Sequence, residues 1–336
     1  MLGMIGRRVL AALIVLLTLS VLIFAATEVL PGDVAEVQLG QYATPESIAL
    51  LRKELGIDAP PLQRYGRWLA GMVQGDFGRS VTTRGPVSDL LAERLANTAR
   101  LAGVTALIAV PLAIFLGMLM ALRVGSLFDR IATAVVLALS AIPEFLIATL
   151  AVIAFAVHLR WLPAISYVDP SFGTGRLAQA MTLPVVTLVL HVAAQIARMT
   201  RATIVNLLHL PFMEMAVLKG VPPLRRMLVH ALPNMAGPLA NVVALNVAYL
   251  VSGVVVVETV FAYPGLARLM IDAVTGRDMP VIQACAMIFS VAYVVLILLA
   301  DLVAVLANPR LRRSTRHAKA EAPAAPALER RLQDGV

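Results

Sequence analysis

Six stretches of this chain are apolar enough and long enough to cross a bilayer, and no other feature constrains its fold so tightly. They are Val9–Val29, Leu101–Leu122, Ile131–His158, Met181–Ile196, Leu239–Val257 and Val281–Ala307. A helix rises about 1.5 Å per residue, so about 20 apolar residues match roughly 30 Å of hydrocarbon. In lipid every backbone N–H and C=O must be paired within the protein, which leaves helices or closed barrels. Unbroken apolar runs of this length are helical rather than alternating. Composition agrees: 60% of the 336 residues are hydrophobic and 14% are charged, against roughly 25% charged in soluble domains. The expected fold is an all-α membrane protein with six transmembrane helices. The fourth stretch is the shortest and carries Pro184, His191 and Gln195.

The first stretch follows Arg7 and Arg8, as a signal peptide would. Its apolar run outlasts the roughly 7–15 residues of such a leader, so it reads as a retained first helix. Six crossings place both termini on one side. Lys and Arg concentrate at Arg7 and Arg8, in the turn Arg123–Arg130, in the stretch Arg198–Arg226 and in the tail Arg310–Arg331. Short loops and tails rich in Lys/Arg stay in the cytoplasm. The net charge of +8 is thereby explained without nucleic acid. Residues 1–30 read as the N-terminus and first helix, 31–97 as a periplasmic cap, 98–307 as the transmembrane core and 308–336 as a cytoplasmic tail. That tail is basic, then Ala/Pro-rich, without apolar periodicity, and is expected to be disordered.

The cap has helix signals of its own. Thr44-Pro45-Glu46 reads as N-cap, N1 proline and first-turn acid, with Ile48, Leu51 and Leu55 at helical spacing and Gly56 as a C′ residue. A second helical stretch, Leu62–Val73, ends at Gly75-Asp76-Phe77-Gly78.

Between spans four and five, residues 198–235 carry two short helices joined by a glycine. Pro211 opens the first, Glu214 lies in its first turn, Lys219 closes it and Gly220 takes the C′ place, at positive φ. Pro222-Pro223 starts the second, which carries Arg225 and Arg226 and ends at Pro233. Helices are stiff, so a push on such a knob reaches the flanking spans.

The spacing Glu214-x-Ala216-x3-Gly220 followed by Leu232-Pro233 resembles the EAA loop of ABC importer permeases. Met215 departs from the middle alanine of the E-A-A pattern and His230 from its isoleucine. His230-Ala231-Leu232-x-Asn234 is similar to one subfamily, the B-type permeases of dipeptide and oligopeptide importers, which include nickel and glutathione systems. The likeness extends to Leu30-Pro31-Gly32-Asp33, Leu55-Gly56-Ile57-Asp58, Gly75 to Ser80, Gly125 to Asp129 and Arg198 to Arg201. Beyond the loop it includes Glu258 to Phe261, Pro264-Gly265-Leu266, Ile271-Asp272-Ala273, Arg277-Asp278-x-Pro280 and Asn308-Pro309-Arg310. The resemblance implies a multi-pass subunit of the bacterial inner membrane forming half of a pathway for peptides or peptide-like solutes. It further implies a C-type permease partner, two cytoplasmic ATPases on the EAA knobs and a periplasmic solute-binding protein. Coupling to the ATPase would then rest on Glu214, Ala216, Lys219, Gly220, Arg225 and Arg226.

The residues themselves argue against an ATPase here. The lysines are Lys53, Lys219 and Lys319, and none completes G-x4-G-K-[ST]. ATP would be bound by partner subunits, and the chain is expected to hold no cofactor, no metal and no catalytic residue. His191 and His209 are too far apart for a metal pair, no H-E-x-x-H occurs, and Met213, Met215, Met227 and Met235 read as packing residues. The single cysteine, Cys285, allows no intrachain disulfide and reads as a small core residue. An ion-coupled secondary transporter is the alternative, but beside Glu144 the span centres offer no acid for a coupling site; an intramembrane enzyme lacks G-x-S-x-G and paired acids.

Glu144, beside Pro143 in the third span, is the candidate pathway residue, because a carboxylate at that depth is paired or faces water. It either meets a substrate amino group, partners backbone freed near Pro143, or is a protonated acid at a subunit seam. His191 and Gln195 either line the same pathway or bond across helices. Asp301, late in the sixth span, is expected near the cytoplasmic boundary, in helix packing or a salt bridge.

Overall fold

The structure is a computed structural model that describes residues 2–29, 44–55, 59–168 and 172–307. Leu30 to Asp33, Gly56 to Asp58 and the tail from Asn308 lie outside the described residues. In chain order the helices are α1 (Leu2–Val29), α2 (Pro45–Leu55), α3 (Pro61–Gln74), α4 (Val87–Leu122), α5 (Leu127–Ala141), α6 (Glu144–Ala151), α7 (Thr174–Leu208), α8 (Pro211–Leu218), α9 (Pro223–Val260), α10 (Leu266–Thr275) and α11 (Met279–Ala307). Among the described residues there is no strand, only an isolated bridge between Arg79 and Pro86. α1, α4, α7, α9 and α11 are each long and apolar enough to span.

α7 is the hub of the bundle. Its most apolar window is 72% buried, against 6% for α1 and α11, so those two face lipid and α7 faces protein. Lipid supplies no hydrophobic drive between helices, so close packing must hold them. The sequence of α4 provides it through a four-residue register: Asn97, Leu101, Thr105, Ala109, Ala113, Gly117 and Ala121 are all buried. Small residues let the α7 backbone approach, and a Cβ on Gly117 would lie 2.8 Å from the Ala197 carbonyl oxygen and 2.7 Å from Thr200 Cβ. This small-residue stripe is the α4–α7 seam.

The third apolar stretch departs from a single straight span. It forms α5 and α6, which meet at 102° across Ile142 and Pro143. Proline disfavours helical ψ at the residue before it, and Ile142 is extended accordingly, with ψ of 128°. A π-helical segment, Val152–His158, follows α6. Glu144 therefore stands at the first turn of α6 rather than inside a continuous helix.

The knob also differs from two separate helices. Its second part does not stop at Pro233 but runs on as α9, through a π-helical segment at Arg226–Ala231. The wider turn lets Leu232 N–H reach the Met227 carbonyl, so the helix passes the proline instead of ending there.

At the end of the bundle away from the knob, buried carboxylates fasten the connections. Asp278 accepts bonds from Ser80 Oγ at 2.5 Å and from the backbone N–H of Val81 and Thr82, both at 3.1 Å. Glu258 accepts from Thr98 Oγ1 at 2.5 Å and from the Ala267 and Arg268 N–H groups, at 2.8 and 3.3 Å. Those two N–H groups open α10, so the carboxylate satisfies orphan donors at a helix start. Tyr263 is wholly buried and its hydroxyl donates to the Asn97 carbonyl at 3.0 Å. Burial pushes that phenol up to about 12, so it remains a donor. α3 lies on α1 through Phe24, Tyr65 and Trp68, with Tyr65 and Ser20 hydroxyls 2.8 Å apart and Arg64 paired with Glu28. Asp301, near the far end of α11, pairs with Arg8 of α1.

Candidate functional site

The bend at Pro143 carries the Glu144 side chain towards the middle of α7. Its carboxylate lies 3.5 Å from His191 Nε2, and both side chains are one-fifth exposed. A cavity of about 430 Å³ opens there, walled by one face of α7 (His191, Val192, Gln195, Arg198, Met199) and one face of α9 (Val242, Leu245, Asn246, Tyr249, Leu250, Ser252, Gly253). Both sets recur at three, four and seven residues, the spacing of a helix face. The volume falls within the roughly 300–1,000 Å³ of small-molecule sites. Glu144, His191 and Gln195, singled out separately in the sequence, thus share one cavity.

The site's shape depends on Gly253. A Cβ there would come within 2.7 and 2.8 Å of the two Glu144 carboxylate oxygens. Arg198 donates to Gln195 Oε1 at 3.2 Å and so extends the polar wall towards the knob. Sequence reasoning had not placed Arg198, Asn246, Tyr249, Ser252 or Gly253 in the site. A signal was present in α9, where Asn246, Tyr249 and Ser252/Gly253 punctuate an apolar run at helical intervals. A larger cavity of about 850 Å³ between α1, α9 and α11 is mostly apolar, with the Arg8 and Asp301 pair among its walls.

The knob is the second candidate surface. Gly220 has φ of +71°. Its N–H bonds to the Val217 carbonyl at 2.9 Å and the Val221 N–H to the Ala216 carbonyl at 3.1 Å, the paired closure of a Schellman motif. Ala216 and Met213 are buried, and Met213 packs in one cluster with Met227, Met235 and Ile204. Met215, by contrast, is 52% exposed. Glu214, Lys219, Gly220 and Arg225 are exposed, and Arg226 is half-buried. Phe212, Val217, Leu218, Leu224 and Leu228 are exposed beside them, giving the knob an apolar outer surface edged with charge. Among the described residues no group of three or more His, Cys, Asp or Glu side chains converges as a metal site would require.

Beneath the knob, the turn before α5 is tied to α7. Asp129 accepts from Arg201 Nε at 2.6 Å and Nη2 at 2.7 Å, and from the Gly125 N–H at 3.0 Å. These residues belong to the two motifs, Gly125 to Asp129 and Arg198 to Arg201, that the sequence presents as separate.

Comparison with known proteins accords with this architecture. Residues 113–313 match the family described as binding-protein-dependent transport system inner membrane component, and residues 1–102 match its N-terminal companion. A probable peptide ABC transporter permease protein of Sinorhizobium fredii is 36% identical over 91% of this chain and 98% of its own length. A putative peptide transport system permease protein of Brucella abortus is 35% identical over 93% of this chain and 99% of its own. A glutathione transport system permease protein of Escherichia coli is 34% identical over the same shares, 93% and 99%. An all-helical, multi-pass chain matched along nearly its whole length in this way belongs to the binding-protein-dependent transport system inner membrane components, the permease subunits of ABC importers.

Proposed function

We propose that this subunit forms half of the pathway of an ATP-driven importer of peptides or peptide-like solutes, with both termini and the knob on the cytoplasmic side. In this reading a second permease completes the pathway, two ATPases seat on the knobs and a solute-binding protein delivers substrate at the opposite end. The observation that carries it is the continuity of α9. One helix, Pro223–Val260, starts at the knob and provides a wall of the Glu144 cavity. A displacement of the knob is therefore passed to the cavity wall, because the helix is continuous from one to the other through its π-helical turn. The basic residues at the knob end, Arg7, Arg8, Arg123, Arg130 and Lys219 among them, support its cytoplasmic orientation. The names of the relatives support a peptide-like substrate.

The test is to co-express the chain with its partner permease and ATPases and to measure uptake in proteoliposomes. Uptake should require ATP and the binding protein, and the isolated chain should hydrolyse no ATP. Uptake driven by an ion gradient without ATP would instead support the secondary transporter.

A further inference from the structure

We infer that Arg198 sets substrate specificity by holding the carboxylate end of a short zwitterionic peptide whose amino end lies at Glu144. This rests on the pathway reading of the cavity and adds a second, opposite charge to it. Both residues wall the same 430 Å³ space. His191, next to Glu144, and Arg198 are seven residues apart on α7, which is about 10 Å along the axis. Helical side chains lean towards the N-terminus, and Arg198 does so, bonding Gln195 at 3.2 Å. His191 leans the same way, so the guanidinium and the carboxylate keep about 10 Å between them along the wall. An extended chain advances about 3.5 Å per residue, so two or three residues bridge that interval. A free carboxylate fits the planar fork of an arginine, which binds it through two parallel hydrogen bonds. Gln195 and Asn246 wall the same cavity. Gln195 Oε1 accepts from Arg198 and Asn246 Nδ2 donates to the Val242 carbonyl. Beyond those two bonds, the Gln195 amide nitrogen and the Asn246 amide oxygen offer hydrogen bonds to the peptide bonds. The His191 contact with Glu144 is at the limit of hydrogen bonding, 3.5 Å, so an arriving ammonium displaces little.

The experiment uses the full assembly of both permeases and ATPases in lipid nanodiscs, without the binding protein, so that its specificity does not intervene. Equilibrium binding is measured for trialanine, trialanine amide and N-acetyl-trialanine. Arg198→Gln should weaken trialanine about tenfold or more and leave the amide unchanged, while Glu144→Gln should weaken trialanine and leave the acetylated peptide unchanged. Arg198→Lys should recover part of the trialanine affinity, because the charge remains without the fork. Equal loss for trialanine and its amide in Arg198→Gln overturns the assignment. So does a wild-type assembly that retains its ATPases and binds no trialanine. That second result leaves the permease reading standing, whereas failure to retain ATPases or to drive uptake with ATP sinks the permease reading itself.

Discussion

The Glu258 carboxylate fills the space that a Cβ on Gly265 would need. Gly265 has φ of −105°, which any residue adopts, so the requirement for glycine is one of room and not of backbone freedom. The carboxylate cannot step aside, because Thr98, Ala267 and Arg268 all bond to it. Gly265→Ala should therefore destabilise the folded subunit by about 2–4 kcal/mol, the worth of one or two bonds to a buried carboxyl group. Thermal unfolding of the purified assembly measures it. In a Glu258→Ala background the same change should cost much less, since the two residues share one interaction.

Gly253 makes the opposite prediction from similar geometry. Its Cβ would also meet a carboxylate, that of Glu144. Here the only polar contact described for that carboxylate is the long one to His191, so the side chain swings away. Gly253→Ala should change stability by less than about 0.5 kcal/mol yet lower ATP-driven uptake several-fold. Stability and uptake falling together would point to a purely structural glycine.

Asp129 and Arg201 hold the turn before α5 to α7 through two parallel bonds. Removing one partner of a buried pair costs about 3–5 kcal/mol. The Arg201 side chain is 26% exposed and that of Asp129 only 3%, which brings the expectation for Asp129→Asn to about 2–3 kcal/mol. Arg201→Lys should recover only part, because an ammonium lacks the two-pronged geometry. Unfolding temperatures of the variants in detergent distinguish these.

Gly117→Ala should force α4 and α7 apart and cost about 1–3 kcal/mol. Shaving the facing side chain should not rescue it, because the added Cβ would still meet the Ala197 carbonyl oxygen at 2.8 Å. Recovery of stability in Gly117→Ala/Thr200→Ala would show that the side chain alone sets the spacing.

At Gly220 the constraint is conformational. A Cβ there touches nothing within 4 Å, but φ is +71°. A residue with a Cβ costs about 1 kcal/mol or more in this region, a β-branched one more, and asparagine less. Gly220→Val should insert and pair with the partner permease yet retain ATPase poorly, while Gly220→Asn should stay near wild type. ATPase co-purification and uptake, read beside membrane insertion, check this. A loss of insertion would place the residue in the membrane core instead.

Helix positions were readable from the chain because their causes are local. Apolar length marks the spans, Thr44 and Pro45 start α2, and the Gly220 turn follows from a glycine closing a helix that begins at Pro211. The register of α4, with small residues at every fourth position, was not read from the chain, because its meaning appears only with α7 packed beside it. Other features depend on residues far apart in sequence. Asp129 meets Arg201 across 72 positions and Ser80 meets Asp278 across 198, and no local signal says which arginine or which serine will arrive. The site is of the same kind. Glu144, His191 and Gln195 could each be noticed as polar groups in apolar runs, but only the 102° bend at Pro143 turns Glu144 onto the wall shared by α7 and α9. A proline announces that a helix will be interrupted; the direction of the new axis is set by the surfaces it packs against.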